Sequence, residues 1–254
     1  MLIILATVLV LLIFIFCGDR GLRSIITTVM QGLLLLLAIN LIFHGFNPLI
    51  VTLIICTFIS CVTMFYQNES DIKSKAAFLS VVIVIIILIP LIFYLANGAN
   101  IEGFNSEQFE ITDSNGYTRN ININMLLLQM SVMIIALIGT VIDISIAITT
   151  SIYEIRRTGK SLNLENLTNA AFISSRSILN TSIHTIFYIY IAEYLTLMIQ
   201  YADRFSFLEL INCKSFCQEF ISVSISGIGC CLIVPIASII GSTMINNYFD
   251  KLEM

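Results

Sequence analysis

The sequence predicts an all-α protein, a bundle of helices that crosses a membrane several times, and three observations support this. Of its 254 residues, 58% are hydrophobic and 11% are charged, and the mean hydropathy is +0.98. Soluble globular domains carry about 25% charged residues, so lipid must cover much of this chain. The apolar residues also form long unbroken runs, without the period-two alternation of a membrane β-barrel.

Seven apolar runs are bounded by polar segments, and each is near or above the ~20 residues that a helical span needs. They are residues 2–17, 25–43, 48–66, 76–96, 123–152, 178–199 and 220–245, in a single membrane domain of residues 1–254. The first run is the shortest. No charged segment precedes it, so we interpret it as a span and not as a cleaved signal.

The basic residues predict the orientation of the bundle. With the N-terminus outside and the C-terminus in the cytoplasm, only Arg119, Arg204 and Lys214 fall outside. The positive-inside rule favours this arrangement. The other basic residues then lie on the cytoplasmic side: Arg20, Arg23, Lys73, Lys75, Arg156, Arg157, Lys160, Arg176 and Lys251. The net charge of −4 does not favour nucleic acid as a partner, because nucleic-acid binding needs a basic face.

The most informative stretch is residues 139–154, inside the fifth apolar run. It contains Asp143, a carboxylate at a depth where a charge costs at least ~2.5 kcal/mol on insertion scales. Gly139 and Ser145 belong to a set of small or hydroxylated residues around it, which let a neighbouring helix approach closely. Asp143 is therefore either part of an ion or substrate pathway, or a buried structural residue held by hydroxyl groups.

Few groups could pair with Asp143. Arg176 opens the sixth run, and His184 lies roughly 12 Å deeper at 1.5 Å per residue. Asp143 lies roughly 16 Å from Glu154 along its own helix, so it should share the depth of His184. A carboxylate and an imidazole there can form a proton relay, or else a static hydrogen bond of about 1 kcal/mol. Glu154 and Arg156 should meet Arg176 near the cytoplasmic surface.

The last run contains Gly227, Gly229 and Pro235, which predict a tightly packed or discontinuous helix. Cys213 and Cys217 lie four residues apart, a poor geometry for a disulfide on a helix, and their oxidation state stays open. No metal-binding His/Cys cluster, CxxC pair or HExxH motif occurs. We therefore expect no metal, no cofactor and no enzymatic activity.

Five segments resemble the YibE/F family of bacterial membrane proteins. They are GDRGLRS (18–24), GFNPLIVT (45–52), GTVIDISIAITTSIYEI (139–155), SSRSILNTSIHT (174–185) and GIGCCLIVPIA (227–237). The segments around Asp143 and Arg176 are together specific. The chain departs from the family's Gly-Arg-Asp, which reads Ser175-Arg176-Ser177 here, and His184 stands where the family has Asn.

The resemblance implies a multi-pass protein of the bacterial cytoplasmic membrane that works with a larger YibE-like membrane partner or as a homo-oligomer. Residues 143–156 are also remotely similar to the central helices of SecD and SecF, which implies an RND-type core. We therefore expect a subunit of a transport or export complex, coupled to an ion or proton through Asp143. The alternative is a scaffold or assembly subunit that does not transport.

Overall fold

The computed structural model describes residues 1–68, 71–99, 123–159, 163–204 and 206–253. The predicted all-α fold is confirmed, since these residues contain helices and no strand. The helices are α1 (Leu2–Phe43), α2 (Pro48–Cys61), α3 (Ile72–Gly98), α4 (Met125–Thr158), α5 (Leu164–Arg204), α6 (Phe207–Ile211) and α7 (Lys214–Glu253), and a π-helical turn, Val62–Gln67, continues α2.

Helix α4 lies at the centre of the bundle. Asn124 caps its N-terminus, where the Asn124 side chain accepts a hydrogen bond from the Leu127 backbone N–H, and Gly159 caps its C-terminus. One face is fully buried and recurs every three or four residues, as a helix packed on its neighbours requires. That face carries Met130, Ile134, Leu137, Val141, Ile144, Ile148 and Ile152. Helices α2, α3, α5 and α7 all pack against α4.

Helix α7 approaches α4 closely at Gly229. A Cβ placed there would overlap Leu137 Cδ1 and would lie 3.2 Å from Val141 Cγ2. Gly227 differs, because a Cβ there would meet nothing within 4 Å. Pro235 lies inside α7, which continues through it. Of the two predicted glycines, Gly229 is thus tightly packed and Gly227 is not, and the last helix is not discontinuous.

Helix α1 combines two of the predicted spans, 2–17 and 25–43, and bends sharply between them. Gly18 has φ +54° and ψ −132°, which is not helical. A Cβ at Gly21 would lie 2.7 Å from the Ile13 carbonyl oxygen, although residues eight apart in a straight helix are about 12 Å apart. Only the second half of α1 packs on α2, through a cluster that includes Ala38, Val51 and Ile55.

Five helices among the described residues are long and apolar enough to cross a membrane: Ile3–Phe43, Pro48–Gln67, Ile72–Gly98, Met125–Thr158 and Lys214–Lys251. The predicted count of seven is therefore not confirmed. Part of the difference comes from α1, because the residues before and after the non-helical Gly18 are two helical segments that count here as one helix. The predicted span 178–199 lies within α5, which is not one of these five helices.

The short helix α6 stands between α5 and α7. It begins with a capping box in which the Ser206 backbone N–H donates to Glu209 Oε2 at 2.8 Å, and the Ser206 hydroxyl donates to the same oxygen at 2.9 Å. These two bonds to the carboxylate hold the pKa of Glu209 below its ordinary value. The cap is therefore present at neutral pH and is lost as the pH falls through that lowered pKa. Cys213 and Cys217 are free thiols.

We predict that Gly229→Val destabilises the protein by about 1–3 kcal/mol, because the added methyl groups overpack the α4–α7 contact. Gly227→Val is the matched control, since it carries the same helix-propensity cost and enters open space. Denaturant unfolding of both variants in detergent micelles checks this. Equal losses of stability in the two variants would contradict the close approach at Gly229.

Candidate functional site

Asp143 opens onto a cavity of about 290 Å³ between α1, α2, α4 and the start of the π-helical turn. It stands on the edge of α4 away from the buried Leu137–Val141 face, so packing does not cover its side chain, which is exposed. The cavity is lined by Gln31, Leu35, Cys56, Ile59, Thr63, Ile135, Ile138, Gly139, Ile142 and Asp143. A carboxylate thus stands in a largely apolar chamber within a predicted span.

Two neutral polar side chains share this cavity with Asp143. Gln31 Nε2 donates to Thr63 Oγ1 at 2.7 Å, and the Thr63 hydroxyl donates to the Ile59 carbonyl at 2.8 Å. Within the described part of the chain, Asp143 makes no hydrogen bond and no ion pair. Its carboxylate is therefore available to water, to a cation or to a proton.

The π-helical turn Val62–Gln67 forms one edge of the cavity. A π-helix replaces the i→i+4 hydrogen bonds with i→i+5 bonds and is often found at functional sites. Asn68, just after the turn, donates from Nδ2 to the Thr63 carbonyl at 3.1 Å. Thr63, which accepts the hydrogen bond from Gln31 inside the cavity, is therefore also hydrogen-bonded through its carbonyl to Asn68 at the end of the turn.

The predicted partners of Asp143 lie elsewhere. Arg176 and His184 are exposed on α5, and in the described residues neither forms a hydrogen bond or ion pair with Asp143. Helix α5 packs through hydroxyl groups instead: Ser151 and Ser174 share a hydrogen bond of 2.7 Å between α4 and α5. The relay from Asp143 to His184 is not assembled in this structure.

The expected meeting of Glu154 and Arg156 with Arg176 is wrong. Glu154 lies 3.8 Å from Arg157 in an exposed pair. Arg156 turns toward α7, where its Nη2 contacts Asp250 Oδ1 at 3.1 Å and its Nε donates to Asn246 Oδ1 at 3.1 Å. The prediction failed because it placed Arg156 on the α5 side of α4, whereas the helical turn directs it to α7.

Arg156 closes one end of the bundle. Its side chain is 4% exposed, and its guanidinium lies 5.5 Å from the centre of the Phe249 ring. The Tyr153 ring lies 5.5 Å from the same Phe249 ring, and Lys73 Nζ lies 5.5 Å from the Tyr153 ring. Cations predicted to share the cytoplasmic side thus gather at one end of the bundle, although the orientation itself stays a prediction.

The small residues predicted around Asp143 serve different contacts. Gly139 lines the cavity, and a Cβ there would meet nothing within 4 Å. Ser145 is buried and donates from Oγ to the Ala77 carbonyl of α3 at 3.1 Å. Gly139 therefore keeps the space beside Asp143 open, while Ser145 fastens α4 to α3.

Gln31, Cys56 and Thr63 are members of the site that were not predicted from the sequence. All three are uncharged and lie within runs that we interpreted only as apolar spans. Gln31 carried the clearest signal, because an amide inside a span needs a partner. Its partner, Thr63, lies 32 residues away in another helix, so the sequence alone could not pair the two.

The long apolar helices indicate a membrane protein of the multi-pass helical class. The YibE/F-like protein family matches residues 5–247, nearly the whole chain, and the chain belongs to that family. A search of the curated proteins and a search of the solved structures find no match. The remote similarity to SecD and SecF therefore stays a prediction.

We predict that Arg156→Gln lowers the free energy of unfolding by about 1.5–3 kcal/mol, since it removes hydrogen bonds between charged groups at a buried site. The neighbouring Arg157→Gln is the control. Its exposed pair with Glu154 should change stability by less than about 1 kcal/mol. Denaturant unfolding in micelles measures the stability of both variants. A larger loss of stability in Arg157→Gln would contradict the conclusion that the Arg156 contacts with α7 stabilise the end of the bundle.

Proposed function

We propose that this protein is a non-enzymatic subunit of a transport or export complex in the bacterial cytoplasmic membrane, with its N-terminus outside. In this proposal Asp143 takes up and releases a proton or a cation as the complex works. The observation that carries the proposal is a carboxylate within a predicted span that opens onto a cavity and has no partner among the described residues.

A purely structural role for Asp143 would lead us to expect a partner. A charge at the centre of a bilayer costs at least ~2.5 kcal/mol, and intramembrane carboxylates normally pair or face water. Ser145, two residues away, shows the structural pattern, since it is buried and bonded to α3. Asp143 instead faces a cavity, which favours a role that requires access to it.

The cavity is large enough to hold water beside Asp143, and two of its lining side chains besides Asp143 are polar. A cavity needs only about 10–15 Å³ to hold one water, and this one measures about 290 Å³. Gln31 and Thr63 supply neutral oxygen and nitrogen atoms beside the carboxylate. Such groups can solvate a proton carrier or a small cation without adding a competing positive charge.

The proposal rests on Asp143 with Gln31 and Thr63. His184 and Arg176 stay candidate relay groups only if α5 moves, because their contacts in this structure do not support a relay. Hinge-like sites within the bundle are proposed at Pro235, where a backbone N–H is absent, and at the π-helical turn.

A scaffold that does not transport is the second candidate, and one observation favours it. Residues 3–20 of α1 are exposed apart from Ile13, and most of them are large and apolar. A helix segment that packs on nothing in its own bundle can dock on another subunit. In this proposal a larger YibE-like membrane partner, or a second copy of the chain, covers that segment.

We predict that Asp143→Asn abolishes proton or cation flux while leaving the protein folded and inserted, because the amide cannot release a proton. Flux is measured with a pH-sensitive dye in proteoliposomes that contain the complex purified from its native membrane. Glu154→Gln is the matched control, since it removes a carboxylate from the same helix at an exposed position. Unchanged flux in Asp143→Asn would rule out the coupling role.

Carbodiimide labelling tests the cavity without knowledge of the substrate. Dicyclohexylcarbodiimide adds to a protonated carboxyl group within a membrane and leaves a stable adduct that peptide mass spectrometry locates. We expect an adduct on Asp143 whose yield falls as the pH rises. Gly139→Leu should reduce it by about tenfold because the leucine fills the space beside Asp143. Equal labelling with and without that substitution would contradict the open cavity.

Co-purification separates the two candidate functions. We predict that wild type and Asp143→Asn retain the same large membrane partner, since the carboxylate lines a cavity and does not belong to the exposed segment 3–20 of α1. Mass spectrometry of the tagged complexes checks this. If Asp143→Asn releases the partner, Asp143 is an assembly residue. If it keeps both the partner and full cellular function, the scaffold interpretation is favoured.

A further inference from the structure

The cavity beside Asp143 is larger than a proton or a single metal ion needs. Its volume is about 290 Å³, whereas a cavity that holds one water needs only about 10–15 Å³. Pockets that bind small organic molecules in proteins begin at about 300 Å³. The cavity therefore has room for a small organic molecule beside the carboxylate.

Asp143 gives the cavity its charge. The other polar side chains that line it, Gln31 and Thr63, are neutral, and among the described residues no lysine, arginine or histidine lines it. Next to apolar walls the effective dielectric constant is lower than in water, which strengthens the attraction between opposite charges. The charge of the cavity therefore favours an occupant that carries a single positive charge.

Most of the cavity wall is hydrocarbon. Aliphatic side chains from α1, α2 and α4 line it: Leu35, Ile59, Ile135, Ile138 and Ile142. Such side chains offer no hydrogen bond, and they favour binding only when the apolar surface of an occupant covers them. A lipid chain would cover this wall but would leave the carboxylate unpaired. The wall and the charge together favour an occupant whose positive charge is attached to a hydrocarbon body.

The side-chain oxygens around the cavity are too few to replace the water shell of a divalent metal ion. They belong to Asp143, Gln31 and Thr63. Thr63 Oγ1 already accepts a hydrogen bond from Gln31 Nε2 at 2.7 Å and donates one to the Ile59 carbonyl at 2.8 Å. Calcium takes about 6–8 oxygen ligands, and magnesium requires a near-ideal octahedron of them. An organic cation needs an opposite charge and no such shell.

We propose that the Asp143 cavity binds a monovalent organic cation, with the ammonium group at the carboxylate and the hydrocarbon body against the aliphatic wall. The inference rests on the function proposed above, in which Asp143 takes up a proton or a cation, and it names the chemical class of that cation. Gly139 provides the space beside the carboxylate, since a Cβ there would meet nothing within 4 Å. A larger side chain at residue 139 should therefore exclude the ligand.

Equilibrium binding of radiolabelled phenyltrimethylammonium to the purified full-length protein tests the proposal. This probe is permanently charged, so its binding cannot be mistaken for proton uptake. Two unlabelled competitors separate its parts: tert-butylbenzene has the same shape without the charge, and tetramethylammonium has the charge without the ring. Asp143→Asn removes the charge of the cavity, with Glu154→Gln as its control. Gly139→Leu fills the cavity, with Gly227→Leu as its control, because Gly227 also faces open space but does not line the cavity.

We expect wild type and both controls to bind the probe equally. Asp143→Asn and Gly139→Leu should each bind it at least about tenfold more weakly, because one loses the opposite charge and the other loses the space. Each competitor should be at least about tenfold weaker than unlabelled phenyltrimethylammonium, since it satisfies only the wall or only the carboxylate. Circular dichroism and gel filtration verify that the variants are folded, and the competition experiment needs wild type alone.

Three results overturn the proposal. They are the absence of saturable binding to wild type, equal binding to folded Asp143→Asn, and competition by tert-butylbenzene or tetramethylammonium as strong as that by the probe itself. The flux assay described above distinguishes this failure from a failure of the proposed function. If Asp143→Asn abolishes proton flux but wild type does not bind the probe, the coupling role stands and the organic cation is excluded. If the probe binds through Asp143 but flux is unchanged in Asp143→Asn, the reverse holds.

Discussion

The contact between α4 and α7 is the constraint on which the rest of the structure depends. Gly229 lets α7 approach Leu137 and Val141 closely. Gly241, nearer the C-terminal end of α7, also allows a close approach, because a Cβ there would lie 2.9 Å from Ile152 Cδ1. These contacts commit one face of α4 to the core and fix its rotation about its own axis. Asp143 lies outside that face, so it must point toward α1 and α2.

The polar groups of the bundle fall into two kinds with different physical roles. Several hydroxyl groups between helices pair with each other or with a carbonyl, as Ser175 does with Ser238 at 3.0 Å, so they add specificity at little cost. Arg156 is a charged group at the end of the bundle, where it pairs with Asp250. Asp143 differs, because it lies in the middle of α4 and lines a cavity. We place the candidate function there for that reason.

The general fold could be predicted from the sequence because lipid imposes a simple rule: each apolar run must satisfy its own backbone as a helix. The rule specifies helices but not the direction of the chain at each polar break. Residues 18–24 contain two charged arginines and suggest a loop, yet two helical segments meet directly at the non-helical Gly18. The number of spans therefore does not follow from the number of apolar runs.

The site was predictable only in part. The depth of Asp143 follows from counting residues, so its importance could be inferred without a structure. Its neighbours depend on helix rotation, which is set by packing at Gly229 and is not encoded near Asp143. The predicted pairing of Asp143 with His184 assumed that the polar faces of two consecutive helices, α4 and α5, contact each other. The α4–α5 contact instead uses Ser151 and Ser174.

The π-helical turn changes the direction in which the residues after it face. It holds one more residue per turn than an α-helix, so the residues after it are rotated by about 100° from their α-helical positions. Thr63 lines the Asp143 cavity, whereas Gln67 and Asn68 line a different pocket together with Arg20 and Lys73. The number of residues between Cys61 and Asn68, more than the identity of any one of them, therefore sets which pocket the Gln67 and Asn68 side chains line.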